Sequence, residues 1–180
     1  MIFSSGPMDG LVIIQPSVFG DERGYFYESY NIEEFKKNGI DINFVQDNQS
    51  MSHKGALRGL HFQVPPFAQG KLVRVIRGAV LDVVVDIRKS SPTYGKYFGI
   101  ELTEKNFTMF WVPPGFAHGF ATLEDNTLFS YKCTNVYHKE CEGGLLWNDQ
   151  SLNIDWRIHN PILSDKDRFH TTLNDFVSPF

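Results

Sequence analysis

The chain has 180 residues, 17 Lys and Arg against 21 Asp and Glu, and a formal net charge of −4. This length predicts one domain over residues 1–180, and the acidic balance argues against a nucleic-acid partner. The absence of a long apolar run argues against a membrane span, and the opening MIFSSGPMDG lacks the features of a signal peptide. Cys133 and Cys141 are too far apart for a CxxC pair, which favours reduced thiols in a cytoplasmic protein.

The N-terminal part of the chain predicts two strands. Residues 11–19 form an apolar strand that Pro16 would bend or place at a sheet edge. Residues 25–30 alternate as a second strand, with Phe26 and Glu28 on one side. An aromatic beside a carboxylate could stack on a base and hydrogen-bond to it, and an ordinary aromatic strand explains the same spacing.

The one clear helix signal follows these strands. Asn31 with Glu34 three residues later matches a capping box, which predicts a helix over residues 32–38. Gly39 is placed to terminate it. We assign this helix no chemistry.

Residues 43–51 predict a strand that carries neutral polar groups on one face. Gln46, Asn48 and Ser50 share that face because strand side chains alternate. Such a row can read a base edge or a sugar hydroxyl, and it can equally face water.

The central stretch, residues 55–78, predicts two strands joined by a Pro/Gly-rich turn. His61 and Gln63 share one face, whereas Leu60 and Phe62 share the other. A polar row within an otherwise apolar β-structure indicates a lined cavity, with a half-exposed sheet as the alternative.

Residues 79–87 (AVLDVVVDI) predict a β-branched core strand. Asp82 and Asp86 share a face, which raises the prospect of paired catalytic carboxylates. We favour outward-facing side chains, or ion pairs with Arg74 and Arg88.

The remaining elements carry further candidates whose ordinary interpretations are structural. Residues 97–102 and 107–112 predict strands, and residues 127–134 place Phe129, Tyr131 and Cys133 on one packing face. Taken singly, a histidine such as His118 is more often structural than catalytic.

The tail holds LSDKD, in which Ser164 and Asp167 are spaced to start a short helix. We expect His138, His159 and His170 to be surface residues. Many short strands, one helix and no internal repeat together predict a mainly β fold, a sandwich or jelly roll.

Two motifs resemble the cupin family, a jelly-roll β-barrel with few short helices. The first is GALRGLHFQ…K, and the second contains Pro113, Gly115 and His118. Metal-binding cupins carry H-x-H, a later Glu and a further His, whereas this chain has Gln63 and Lys71 at two of those positions. Two imidazoles beside an ammonium group make a poor divalent-metal site, so we expect no metal.

The details resemble one cupin branch, the dTDP-4-dehydrorhamnose 3,5-epimerases. The matching segments occur in the family's order and span nearly the whole chain: FGDERGYFYESYN, FVQDN, LRGLHFQ, QGKLVR, VVVDIRKSSPTYG, WVPPGFAHGF, YKCTN, LLWND and LSDKD. The resemblance implies 3,5-epimerisation of a dTDP-linked 4-keto-6-deoxy sugar with no cofactor.

The resemblance also implies roles for individual residues. His61 matches the general base and Asp167 its carboxylate partner, Tyr131 matches the general acid, and Lys71 matches the cation at the C4 keto oxygen. The substrate-binding positions are Arg23, Phe26, Glu28, Gln46, Asn48, Arg58, His118, Tyr137, Glu142 and Lys166. Some of them would reach across a homodimer through exchanged N-terminal strands.

Tyr137 matches the aromatic that stacks on the thymine ring. Family members often have two adjacent aromatics at this point, and Val136 replaces the first. The alternatives are a mono-epimerase acting at C3 or C5 only, a metal-dependent cupin oxygenase and a sugar-binding cupin without catalysis.

Overall fold

The computed structural model describes residues 1–180 and is dominated by antiparallel strands. It contains one α-helix, α1 (Ile32–Lys37), and two short 3-10 helices, Lys139–Cys141 and Lys166–Arg168. The strands are β1 (Ile2–Ser5), β2 (Val12–Gln15), β3 (Phe19–Asp21), β4 (Gly24–Phe26), β5 (Gln46–Ser52), β6 (Leu57–Gln63), β7 (Lys71–Arg77), β8 (Ala79–Asp86), β9 (Tyr97–Thr103), β10 (Met109–Val112), β11 (Phe116–Thr122), β12 (Thr127–Cys133) and β13 (Glu142–Gly144).

Two sheets build the body of the protein. The six-stranded sheet has the order β1-β2-β10-β7-β12-β5, and the five-stranded sheet has the order β13-β6-β11-β8-β9. Their facing side chains form one apolar cluster, to which Val73 and Phe110 contribute from the first sheet and Val84 and Phe120 from the second. This arrangement is the predicted jelly roll, and the mainly β prediction is confirmed.

Strand β8 shows that the five-stranded sheet is covered on both faces. All eight of its residues are buried. Val80 and Val84 point into the inter-sheet cluster, whereas Leu81 and Val83 pack in a second cluster under the C-terminal segment with Trp156. Because successive strand residues alternate, a continuous apolar run can fill two cores at once.

Helix α1 begins and ends close to the predicted positions. The side chain of Asn31 accepts hydrogen bonds from the backbone amides of Glu33 and Glu34, which caps the first turn. Gly39 follows with a φ of +84°, a left-handed conformation that favours glycine. Phe35 is the buried residue of this helix and packs into the core.

Both strands predicted near the N-terminus are longer than the strands in the structure. The strand over residues 11–19 divides at Pro16, which has no amide proton for a ladder, into β2 and β3. The strand over residues 25–30 is only Gly24–Phe26, paired with Phe19–Asp21 in a separate hairpin. None of the helices has the length and apolar character needed to cross a bilayer.

The topology places four functional strands around one space. The loop after β6 crosses from the five-stranded to the six-stranded sheet, where β7 begins at Lys71. His61 on β6 pairs with His118 on β11, and Lys71 on β7 pairs with Cys133 on β12. Residues that are distant in sequence therefore share the cavity between the sheets.

Candidate active site

A cavity of about 430 Å³ opens between the two sheets. Its polar lining brings together seven of the predicted site residues: Arg58, His61, Lys71, His118, Tyr131, Lys166 and Asp167. Apolar side chains such as Phe120 and Phe129 complete the wall. A largely apolar cavity with a few convergent ionisable groups has the character of an enzyme site.

His61 and Asp167 form the closest ionisable pair in this cavity. His61 Nε2 lies 2.6 Å from Asp167 Oδ1, although the residues are 106 positions apart in sequence. Burial acts to raise the pKa of Asp167, but the imidazoles of His170 and His61 outweigh it and hold that pKa well below its usual range. Burial lowers the pKa of His61, Asp167 opposes this effect, and the charges of Lys71 and Lys166 add to the lowering. The result is an ionised carboxylate beside a neutral imidazole.

His170 also belongs to this cluster, and its prediction as a surface residue is wrong. Its side chain is only 13% exposed, and Nε2 lies 3.7 Å from Asp167 Oδ1. A side chain on Gly144 would clash with the ring at 2.5 Å, so glycine there makes room for the imidazole. The ring centroids of His61 and His170 are 5.4 Å apart.

Asp82 is buried and pairs with His118, contrary to the predicted outward position or partnership with Arg74. Both carboxylate oxygens lie 2.9 Å from His118 Nε2. Burial raises the pKa of Asp82, and the facing His118 and Lys71 oppose the rise. The other predicted pair is confirmed, because Arg88 Nη2 donates to Asp86 at 2.7 Å.

Lys71 and Tyr131 complete the polar lining from the six-stranded sheet. Lys71 Nζ lies 5.9 Å from the centre of the Tyr131 ring. Burial lowers the pKa of Lys71 and raises the pKa of Tyr131. The Tyr131 phenol therefore stays protonated at neutral pH, and the phenol and the Lys71 amine are two hydrogen-bond donors that face one space.

A second cavity of about 330 Å³ adjoins the first and shares His61, Lys71 and Tyr131 with it. Its remaining polar lining consists of Gln46, Asn48, Gln63, Gln69, Tyr137 and Glu142. The predicted polar face of β5 is therefore real, and it lines a cavity. These neutral amides suit a ligand portion rich in acceptors and donors.

A chain of contacts links the two cavities. The Tyr137 hydroxyl donates to Glu142 at 2.9 Å, and Lys166 forms an ion pair with the same carboxylate. Burial acts to raise the pKa of Glu142, but these two partners outweigh it and hold the pKa below its usual value. His138 stacks on Phe67 with the ring centroids 4.1 Å apart, and its side chain stays 42% exposed, as predicted.

Three predicted binding residues lie outside both cavities. Arg23, Phe26 and Glu28 belong to the β3–β4 hairpin and its exit, where Arg23 pairs with Asp21. Phe26 is 67% exposed, and neither cavity contains any of the three. One copy of the chain does not bring them to the site.

Neither of the two altered cupin metal positions offers an imidazole or a carboxylate. Gln63 uses its amide in hydrogen bonds to the backbone, and Lys71 presents an amine. His61, Asp167 and His170 do place ligand atoms within 4.8 Å of one another. However, the 2.6 Å contact between His61 and Asp167 is a hydrogen-bond length, shorter than the about 3.3 Å between two ligands of a tetrahedral zinc ion.

The sequence did not lead us to predict that Asp82 pairs with His118 or that His170 lies beside Asp167. A signal for Asp82 was present, because a carboxylate inside the run AVLDVVVDI must find a buried partner if the strand is covered on both faces. His170 follows Asp167 by three residues, and that spacing alone is a weak signal.

The comparisons with known proteins identify the family of this chain. The family model of the dTDP-4-dehydrorhamnose 3,5-epimerases matches residues 5–175. A relative named dTDP-4-dehydrorhamnose 3,5-epimerase from Shigella flexneri is 56% identical over 87% of each chain. The solved structure of a dTDP-6-deoxy-D-glucose-3,5-epimerase from Legionella pneumophila, in complex with dTDP-4-keto-L-rhamnose, is 46% identical with a TM-score of 0.94, covering 98% of this chain and 94% of that one.

A more distant likeness is a 3′-monoepimerase from Streptomyces bikiniensis in complex with dTDP-quinovose. It is 34% identical with a TM-score of 0.89, covering 93% of this chain and 86% of that one. The jelly-roll fold and the relatives named as epimerases together place the chain in the class of isomerases, and the prediction that it is an enzyme is confirmed. The chain belongs to the dTDP-4-dehydrorhamnose 3,5-epimerase family.

Proposed function

We propose that the protein converts dTDP-4-dehydro-6-deoxy-D-glucose to dTDP-4-dehydro-L-rhamnose in dTDP-L-rhamnose biosynthesis, without a metal or another cofactor. The observation that carries this proposal is the His61–Asp167 hydrogen bond in a cavity that also holds Lys71 and Tyr131. The dTDP-linked sugars named with the Legionella and Streptomyces proteins support the substrate class.

Epimerisation removes a proton from carbon and returns one to the opposite face. C3 and C5 both flank the C4 ketone, so either proton leaves an enolate. His61 is the base: when Nε2 donates its hydrogen to the ionised Asp167, the lone pair lies on Nδ1. Asp167 then stabilises the imidazolium that forms.

Lys71 stabilises the charge that develops on the C4 oxygen. An ammonium group that lines the cavity between the two sheets is a strong donor to an oxyanion. This role takes the place of a metal ion, because the cation already stands where metal-binding cupins carry a carboxylate ligand. Arg58 and His118 line the same wall and bind the sugar.

Tyr131 is the general acid. Its hydroxyl stays protonated because burial raises its pKa. Tyr131 lies on β12 of the six-stranded sheet and His61 on β6 of the five-stranded sheet, so the two groups approach a sugar between them from different walls. A phenol on the second face delivers the proton that inverts each centre.

The second cavity binds the nucleotide end through Gln46, Asn48, Tyr137 and Glu142, and Lys166, which lines the first cavity, adds a contact beside Glu142. Arg23, Phe26 and Glu28 serve the site of a second copy, in a cytoplasmic homodimer that exchanges N-terminal strands. The exposed aromatic hairpin supports this arrangement, because Phe19 and Phe26 are 66% and 67% exposed and need a covering surface. Residues 1–180 act as one domain in each subunit.

The test is to incubate the protein with dTDP-4-dehydro-6-deoxy-D-glucose in D₂O and measure deuterium at C3 and C5 by NMR, after dialysis against a chelator. The proposal predicts incorporation at both carbons with full activity. Deuterium at one carbon only would identify a mono-epimerase, and binding without exchange would identify a sugar-binding protein. Activity that depends on stoichiometric Fe, Mn or Ni would identify a metal-dependent cupin.

Replacing Tyr131 with phenylalanine should separate the two halves of the reaction. The enolate can still form at His61, so solvent exchange should persist, while net epimerisation falls by about 10²-fold or more. Deuterium content and product yield measured in the same sample give the ratio. Equal loss of both would show that Tyr131 is not the acid of the second face.

The pH dependence of kcat/KM should follow His61 and Lys71. The pKa of His61 is lowered, so the acid limb should fall below the ordinary histidine value of about 6.5. The pKa of Lys71 is also lowered, so an alkaline limb should lie below the ordinary lysine value of about 10.4. An acid limb above about 6.5 would contradict a neutral His61 in the free enzyme.

A further inference from the structure

Gln63 occupies the position at which metal-binding cupins carry a second histidine, yet it makes no contact with His61. Its side chain is 4% exposed and turns toward two loops. Nε2 donates to the carbonyl oxygens of Phe67 at 2.7 Å and Val136 at 3.1 Å, and Oε1 accepts from the amide of His138 at 2.6 Å.

Two other glutamines hold the same segment. Gln69 Nε2 donates to the carbonyl of Asn135 at 2.8 Å, and Gln46 Oε1 accepts from the amide of Tyr137 at 2.7 Å. We call Gln46, Gln63 and Gln69 the glutamine clamp. Together the three side chains bind backbone groups of all four residues from 135 to 138.

The clamped segment presents Tyr137 to the second cavity. The Tyr137 ring is 52% exposed, so its own packing does not fix its position. The clamp holds its backbone amide, and Glu142 holds its hydroxyl. A loop fixed before the ligand arrives loses less conformational entropy on binding.

We propose that Gln63 is a positioning residue for nucleotide binding: it fixes the 135–138 segment so that Tyr137 is ready to stack on the base. This inference rests on the proposed function for the identity of the ligand. Gln63 acts through Tyr137 and takes no part in proton transfer, although it is two residues from His61.

The chemistry of the position explains why glutamine stands there. The three bonds of Gln63 need two donors and one acceptor at the same time, which a primary amide supplies. A neutral imidazole has one donor and one acceptor, so histidine could not make all three of these bonds. A cupin metal site requires histidine at this position, whereas the glutamine clamp requires glutamine. The position therefore cannot serve both.

The test measures the binding of dTDP by calorimetry to Gln63→Met, with Gln49→Met on the exposed part of β5 as the matched control. We expect the Kd of Gln63→Met to rise by about 10-fold or more, and that of the control to stay within about 2-fold. The KM for the sugar nucleotide should rise in parallel, while kcat at saturation stays within about 3-fold. An unchanged Kd would overturn the proposal.

A double-mutant cycle with Tyr137→Ala separates positioning from general damage. If Gln63 acts through Tyr137, the Gln63→Met change should alter the Kd of the Tyr137→Ala protein by less than about 2-fold. If the two substitutions weaken dTDP binding additively, then Gln63 contacts the ligand directly or its replacement disrupts the fold. Either result would overturn the proposal. If Gln63→Met does not fold, Gln69→Leu removes one bond of the clamp and should show the same dependence on Tyr137.

Because dTDP binding is read without turnover, this result is independent of the reaction. A protein that fails to epimerise but shows the cycle described keeps the positioning role and loses the proposed function. If the protein epimerises the substrate but the two substitutions act additively on dTDP binding, the proposed function stands and the positioning role of Gln63 does not.

Discussion

Replacing His61 with asparagine should abolish deuterium uptake at both C3 and C5 and lower kcat by about 10³-fold or more. Asparagine keeps a polar side chain beside Asp167 but has no basic nitrogen. One imidazole serves both carbons in this scheme, so the two positions should lose exchange together. NMR after prolonged incubation in D₂O, with enzyme at substrate concentration, measures the residual rate at each carbon.

His53 provides the matched control, because it is an exposed histidine near Asp125. His53→Asn should exchange both positions at the rate of the unmodified protein. If His61→Asn retained exchange at one carbon, a second base would be at work there. His118 beside Asp82 would then be the first residue to replace.

Replacing Lys71 with methionine should lower kcat by about 10²–10³-fold and slow exchange and epimerisation equally. Methionine fills a similar volume and removes the charge that stabilises the C4 oxygen. Exchange and epimerisation both pass through the enolate, so removing the charge that stabilises this enolate slows both processes alike. This equal effect distinguishes Lys71 from Tyr131, for which epimerisation falls further than exchange.

The control for Lys71 is Lys132→Met, which removes an ammonium group that pairs with Asp47 on the neighbouring strand. It should leave kcat within about 2-fold, because an exposed ion pair contributes little. A Lys71→Met protein that lost affinity for the sugar nucleotide but kept its kcat would place Lys71 on the diphosphate and not on the ketone.

Much of the fold could be predicted from local patterns. The capping residues of α1, the alternation of Gln46 and Asn48 on β5, and the opposite faces of His61 and Leu60 on β6 all follow from short-range periodicity. Each of these signals depends on neighbours within a few residues. The structure confirms all three.

The pairing of His61 with Asp167 could not be derived in this way. The two residues are 106 positions apart, and only the resemblance to a family related them. The local spacing is confirmed only in part: the Asp167 amide donates to Ser164 Oγ at 3.2 Å, whereas the carboxylate pairs with His61 and does not cap the helix. One residue thus carries a local and a long-range role, and the sequence displays the local one.

Burial on both faces explains the errors at Asp82 and His170. Alternation predicts an outward side chain at Asp82 if a sheet has one wet face, but the C-terminal segment and the second sheet cover β8 completely. His170 lies in that covering segment, whose path over β6 and β13 is set by tertiary contacts. The local sequence does not show the path of this covering segment.

The most direct test of the account is a crystal structure of the Tyr131→Phe protein with dTDP-4-dehydro-6-deoxy-D-glucose. We predict the C4 oxygen within about 3.2 Å of Lys71 Nζ, His61 on one face of the sugar ring and residue 131 on the other. A sugar with His61 and residue 131 on the same face, or with Lys71 on the diphosphate, would contradict the account.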